Sequence, residues 1–71
     1  MNKSVEIEIK NVTGSIENEG CLYELQRAGF PSGSRITGVF HEMNNSVDWS
    51  TAKDDCVAWV GQTCEIVLEN K

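Results

Sequence analysis

Apolar and polar residues alternate strictly over residues 4–12, near the start of the chain. Val5, Ile7 and Ile9 fall on one side of an extended chain, and charged residues fall between them on the other side. A period of two is typical of a β-strand with one buried and one exposed face. The pattern therefore predicts a first strand over residues 4–12.

A helical period replaces this alternation over residues 17–29. Four apolar residues are spaced to share one helical face: Cys21, Leu22, Leu25 and Ala28. Asn18 is a suitable N-cap, and Gly29 stands where a helix commonly ends. A hairpin turning at Glu19-Gly20 is the competing interpretation of residues 15–26.

Two more strands are predicted at residues 34–43 and 47–51, joined by a turn at residues 44–46. Gly38 interrupts the first of them and indicates a bulge or the close approach of another backbone. The last strand is predicted at residues 63–69. It belongs to the most apolar stretch of the chain.

Residues 51–60 allow two interpretations. In one, residues 52–55 form a turn, residues 56–60 form a strand, and Gly61-Gln62 forms a two-residue hairpin. In the other, Ser50 caps a helix that spans residues 51–60. The β-branched residues of this stretch favour the strand.

Together these elements predict a single compact domain over residues 1–71, of the α+β class. It would be small and β-rich, with one short helix and an antiparallel sheet or SH3-like partly open barrel of 4–5 strands. A chain of 71 residues buries roughly 60% of its unfolded surface. At least one of Trp49 and Trp59 is therefore expected in the core, and little apolar material remains for a deep catalytic pocket.

The net charge of the chain limits the classes of partner that it is expected to bind. Eleven acidic residues against six basic residues give a net charge of −5. This balance disfavours direct binding to nucleic acid or to anionic membranes, because both need Lys and Arg to neutralise phosphates. It favours a protein partner with a basic surface.

Few residues of this sequence are candidates for catalysis or metal binding. Three cysteines, Cys21, Cys56 and Cys64, lack the spacing of a zinc site, and His41 is the sole histidine that could serve as a base. We therefore expect no enzyme activity, no metal and no cofactor. The first residues lack the apolar run of a signal peptide and no stretch is long enough for a membrane helix, so a cytoplasmic location is expected. In that reducing compartment the three cysteines are expected to be free thiols.

The leading hypothesis is a small acidic protein–protein interaction module. It would act as an inhibitor or adaptor that occludes a basic, nucleic-acid-binding surface of its partner, as in phage-type counter-defence. The candidate partner-binding residues are the carboxylates of the first strand, the helix and the last strand: Glu6, Glu8, Glu17, Glu19, Glu24, Glu65 and Glu69.

The alternative is a homo-oligomer that binds a small ligand or nucleotide in a pocket between subunits. Its candidate residues are Arg35, His41 and Trp49, which would supply a cation, a titratable group and a stacking surface.

Overall fold

The computed structural model describes residues 3–69, and Met1, Asn2, Asn70 and Lys71 lie outside the described range. The described residues form five strands and one helix. In chain order these are β1 (Lys3–Ile9), α1 (Ile16–Arg27), β2 (Arg35–His41), β3 (Ser46–Ser50), β4 (Asp55–Trp59) and β5 (Cys64–Glu69). The predicted small, β-rich α+β domain is confirmed.

All five strands belong to one antiparallel sheet, in the order β4-β3-β2-β1-β5. β1 is an interior strand that pairs with β2 on one side and with the edge strand β5 on the other. β4 and β5 form opposite edges of the sheet, yet only residues 60–63 connect them. The sheet must therefore curl so that its two edges approach each other at this connection.

The core lies on the concave side of the curled sheet. Val5, Ile7 and Ile9 of β1 are fully buried there, and Leu22 and Leu25 of α1 pack into the same cluster. The alternation predicted for the first strand is thus confirmed, although β1 ends at Ile9 rather than at residue 12. Burying these aliphatic side chains supplies most of the stabilisation available to so short a chain.

The helix predicted near residues 17–29 is confirmed against the hairpin interpretation, but its N-cap differs. Ser15 is the N-cap, and its hydroxyl accepts a hydrogen bond from the Glu17 N–H at 3.1 Å. Asn18 lies inside the helix and is buried, with its side-chain amide donating to Asn11, Thr13 and the Gln62 carbonyl. Asn18 therefore fastens the start of α1 to the β4–β5 connection.

The strand interpretation of residues 51–60 is also confirmed, because β4 spans Asp55–Trp59 and pairs with β3. The predicted Gly61-Gln62 hairpin is wrong. β5 pairs with β1 instead of β4, apart from an isolated Val60–Cys64 bridge. The Trp59 carbonyl accepts hydrogen bonds from both Gln62 and Thr63, and this tight turn sends the chain to the other edge of the sheet.

Gly38 marks a close approach of two strands, as its position predicted. A Cβ atom added there would lie 2.5 Å from the Asp48 carbonyl oxygen and 2.7 Å from the Val47 side chain. Gly38 faces the core side beside Val5, where β2 runs between β1 and β3. Only a glycine leaves room for the β3 backbone at this point.

We expect Gly38→Ala to lower the free energy of unfolding by about 1–3 kcal/mol, because the added methyl group forces β2 and β3 apart. Gly20→Ala is the control, since nothing lies within 4 Å of a Cβ at that position in α1. It should raise the free energy of unfolding by roughly 0.5–1 kcal/mol. Urea denaturation of both variants measures the two changes, and equal effects would contradict the close approach.

Candidate functional site

The predicted carboxylates of the first and last strands lie near one another. β1 and β5 are neighbours, and Glu8 is directly opposite Glu65 in the pairing register. Glu6 and Glu8 are half-buried on the convex face, whereas Glu69 lies at the end of β5 beyond a register shift. Pairing of β1 with β5 therefore brings these carboxylates near one another.

Cations on the same strands neutralise much of this charge. The Arg35 guanidinium lies 3.4 Å from Glu6 and 3.9 Å from Glu8, and Lys10 forms an ion pair with Glu65. Glu65 raises the pKa of Lys10 through this hydrogen bond and through its charge. Lys3 similarly lies 3.5 Å from Glu69. The β1–β5 surface is thus internally paired and offers a partner less attraction than its sequence indicates.

The three predicted carboxylates of α1 do not form one group. Glu17 and Glu19 lie in the first helical turn, where negative charge complements the helix dipole, and Glu19 also accepts a hydrogen bond from Asn11 at 2.6 Å. Glu24 lies farther along the helix and lines a groove beside β4. Of these three, Glu24 is the residue whose position indicates a binding role.

The residues proposed for a ligand pocket are divided between the two faces of the sheet. Trp49 is buried on the core side and makes an edge-to-face contact with Phe30, with ring centroids 5.4 Å apart. Arg35 and His41 alternate with core-side residues of β2 and lie on the convex face. His41 Nε2 is 2.7 Å from the Asp48 carboxylate. No single surface of the described chain presents all three side chains.

A groove of about 340 Å³ separates α1 from the edge strand β4. The helical side consists of Cys21, Glu24, Leu25 and Ala28. The opposite side consists of Asp54, Asp55, Cys56, Val57 and Trp59. Because the β4 residues come from both faces of that strand, the groove runs along its edge.

The apolar surface of the groove consists of side chains that are not fully buried in the core. Cys21 and Ala28 belong to the predicted apolar face of α1, but the core covers only the middle of that face. Val57 and Trp59 remain 45% and 40% exposed on β4. Exposed aromatic and aliphatic side chains beside a concave surface are typical of a binding site.

Three carboxylates surround this apolar surface: Glu24, Asp54 and Asp55. Within residues 3–69 none of them forms an ion pair, although the Asp55 carboxylate accepts a hydrogen bond from the Ser50 hydroxyl at 2.8 Å. Arg27 borders the Glu24 end, but its guanidinium lies over the Tyr23 ring, 5.9 Å from the centroid. The groove therefore combines apolar contacts with negative charge that the described chain leaves unpaired.

Two of the three cysteines, Cys56 and Cys64, are poor nucleophiles. Cys56 and Cys64 are buried free thiols, and burial raises the pKa of both, that of Cys64 to about 11. For Cys56 the nearby Asp54 and Asp55 carboxylates add to the rise. Both thiols are thus protonated near neutral pH, whereas a nucleophile needs the thiolate. No group of metal-ligating side chains occurs among residues 3–69.

Sequence reasoning assigned Asp54 and Asp55 only to a turn. The turn exists, since Thr51 Oγ1 accepts hydrogen bonds from the Lys53 and Asp54 N–H groups. Two adjacent acidic residues at the start of an otherwise apolar strand were the available signal. Their significance depends on Glu24 lying across the groove, which no local pattern could indicate.

The chain matches no protein-family model, no curated protein and no solved structure at a significant level. With 12 residues, α1 is too short to cross a bilayer, and the described range contains no other helix.

The pKa of Cys64 predicts a loss of stability at alkaline pH. The thiol ionises near pH 9 in the unfolded chain but only near pH 11 in the folded one, so between these values the unfolded chain has lost more protons. The Cys64 thiol should therefore leave the free energy of unfolding unchanged below about pH 9 and lower it as pH rises through this window. Urea denaturation under reducing conditions measures it.

Cys64→Ala is the matched control for this titration. Removing the thiol should lower stability at neutral pH, because it leaves a small cavity in the core. It should also flatten the fall above about pH 9, leaving the contributions of Cys56 and Lys10, whose pKa values are raised as well. A variant that loses stability with pH as steeply as the unmodified chain would refute the assignment to Cys64.

Proposed function

We propose that this protein is a small acidic protein–protein interaction module that binds a basic surface of a partner protein. It acts as an inhibitor or adaptor by covering that surface. The observation that carries the proposal is the groove between α1 and β4, with its apolar sides and the unpaired carboxylates of Glu24, Asp54 and Asp55.

Charge supports a basic partner in two ways. The net charge of −5 attracts a cationic surface over a distance of about a Debye length. At contact, the three groove carboxylates are available without breaking any ion pair seen within residues 3–69. A nucleic acid would be repelled by the same charges.

The groove is a better binding surface than the β1–β5 carboxylates. A partner's lysine or arginine that approached Glu6, Glu8 or Glu65 would compete with Arg35 or Lys10. In the groove, apolar burial and ion pairing act together, which is the usual composition of an interface with an apolar centre and a polar rim. We further propose that the partner is cytoplasmic and that the covered surface is one that binds nucleic acid, as in phage-type counter-defence.

The test is affinity capture from nuclease-treated host lysate, read by mass spectrometry at low and high salt. The unmodified chain should retain one stoichiometric basic protein that is released at high salt. The triple variant E24Q/D54N/D55N should weaken this binding about tenfold, because three exposed ion pairs contribute about 0.5 kcal/mol each. Titration of the purified partner by calorimetry measures the change.

The matched control is E6Q/E8Q/E65Q, which changes the net charge by the same three units on the other surface. It should bind the partner within about twofold of the unmodified chain, since those carboxylates are already paired with Arg35 and Lys10. If the control weakens binding and the groove variant does not, the binding surface is β1–β5. If binding is indifferent to both variants and to salt, the proposed function fails.

A further inference from the structure

The geometry points to a particular mode of binding at this groove: an extended basic segment of the partner adds to the free edge of β4 as an antiparallel strand, beside α1. This inference rests on the proposed function and specifies the partner's conformation and residue pattern. It is carried by the direction of the β4 backbone groups, by the position of the groove and by its charge.

Two hydrogen bonds fix the direction of those backbone groups. The Val60 N–H donates to the Asn45 carbonyl, just before β3, at 2.9 Å, so this group points toward β3. The Trp59 N–H donates to Thr63 Oγ1 at 3.0 Å, on the side away from β3. Directions alternate along a strand, and the N–H and C=O of one residue share a side. Asp55 and Val57 therefore direct both groups to the free edge.

The free part of this edge is short and has clear limits. At one end, the Trp59 N–H and C=O are already engaged by the turn over residues 60–63. At the other end, β4 begins at Asp55, directly after the turn over residues 51–54. Between these ends, Asp55 and Val57 present two N–H groups and two C=O groups. An added strand of about five residues, some 17 Å long, satisfies all four.

The register of the sheet specifies the side chains of the added strand. Val57 pairs with Asp48 on the convex face, and Cys56 pairs with buried Trp49 on the core side. Residues directly opposite each other share a face in an antiparallel pair. The partner residue opposite Cys56 thus points toward α1 and is apolar. Its two neighbours lie on the convex face, one opposite Asp55 and the other opposite Val57, diagonal to Asp55. A long side chain at either position reaches the Asp55 carboxylate, so both are basic.

A second copy of this chain does not fit the groove. Antiparallel pairing of two β4 edges would gather six carboxylates at one interface, those of Glu24, Asp54 and Asp55 from each copy. Within residues 3–69 no cation is paired with any of them. Like charges gathered at a partly buried interface are destabilising, so the occupant is a basic partner segment.

The probe is an acetylated, amidated heptapeptide that alternates lysine with valine, titrated into the full chain and followed by NMR. We expect micromolar-to-millimolar binding and slower hydrogen exchange at the Asp55 and Val57 amides. The Cys56 and Ala58 amides already face β3 and should change little. A glutamate–valine peptide of the same length should not bind.

Two N-methylated isomers of the peptide separate strand addition from attraction between side chains. In the proposed register the lysine N–H groups pair with β4, so methylating them should weaken binding at least about tenfold. Methylating the valine N–H groups, which point away from β4, should leave binding within about threefold. Equal effects of the two isomers, or unchanged exchange at Asp55 and Val57 with millimolar peptide, would overturn strand addition.

Substitution in the protein provides an independent test. Val57→Pro removes an N–H that faces the free edge, so it should block the added strand while β3–β4 pairing and charge persist. Val57→Thr is the control and should bind normally. If the partner still binds Val57→Pro but loses E24Q/D54N/D55N, the proposed function stands and strand addition fails. If partner binding is unchanged by the triple variant, by E6Q/E8Q/E65Q and by salt, it is the proposed function that fails.

Discussion

Burial of one face of β1 is the constraint on which the rest of this structure depends. Val5, Ile7 and Ile9 are fully buried, and their strand pairs with β2 on one side and with β5 on the other. A chain of this length has one small core, and most of its apolar side chains must meet there. Because β1 lies between β2 and β5, and β2 in turn pairs with β3, the edges of the sheet are β4 and β5.

The curl of the sheet then brings those edges toward each other without joining them. Thr63 is almost fully buried, and both its hydroxyl and its N–H bond to the Trp59 backbone, so the chain turns sharply between β4 and β5. Asn18 fastens α1 to the same turn. The helix consequently lies beside the β4 edge at a distance that leaves a groove.

The two edges differ in how they limit association with other chains. On β5, Glu65 and Glu69 are paired with Lys10 and Lys3, so charged side chains cover that edge. On β4, the carboxylates have no such partners in the described range, and Val57 and Trp59 remain half-exposed. An edge strand with apolar side chains invites pairing, and unpaired negative charge restricts that pairing to basic segments. The residues beside the β4 edge therefore both leave it open to pairing and restrict that pairing to basic segments.

Local patterns in the sequence determined the strands, the helix and the position of Gly38. Alternation in β1 and the spacing of Leu22 and Leu25 in α1 indicate which side of each element is buried. This periodicity can be recognised without knowing which element packs against that side. Asn18 was misassigned because its amide is satisfied by Gln62, a residue 44 positions away.

Only the tertiary structure decided which strands are neighbours. A Gly61-Gln62 step looks locally like a hairpin, but β5 pairs with β1, where buried Cys64 lies opposite buried Ile9. The same non-local choice frees the β4 edge and places Glu24 across from Asp54 and Asp55. The sequence pattern indicates which side of each strand and of the helix is buried. The order of the strands depends on how these buried sides pack into one small core. The groove between α1 and β4 exists only in that strand order.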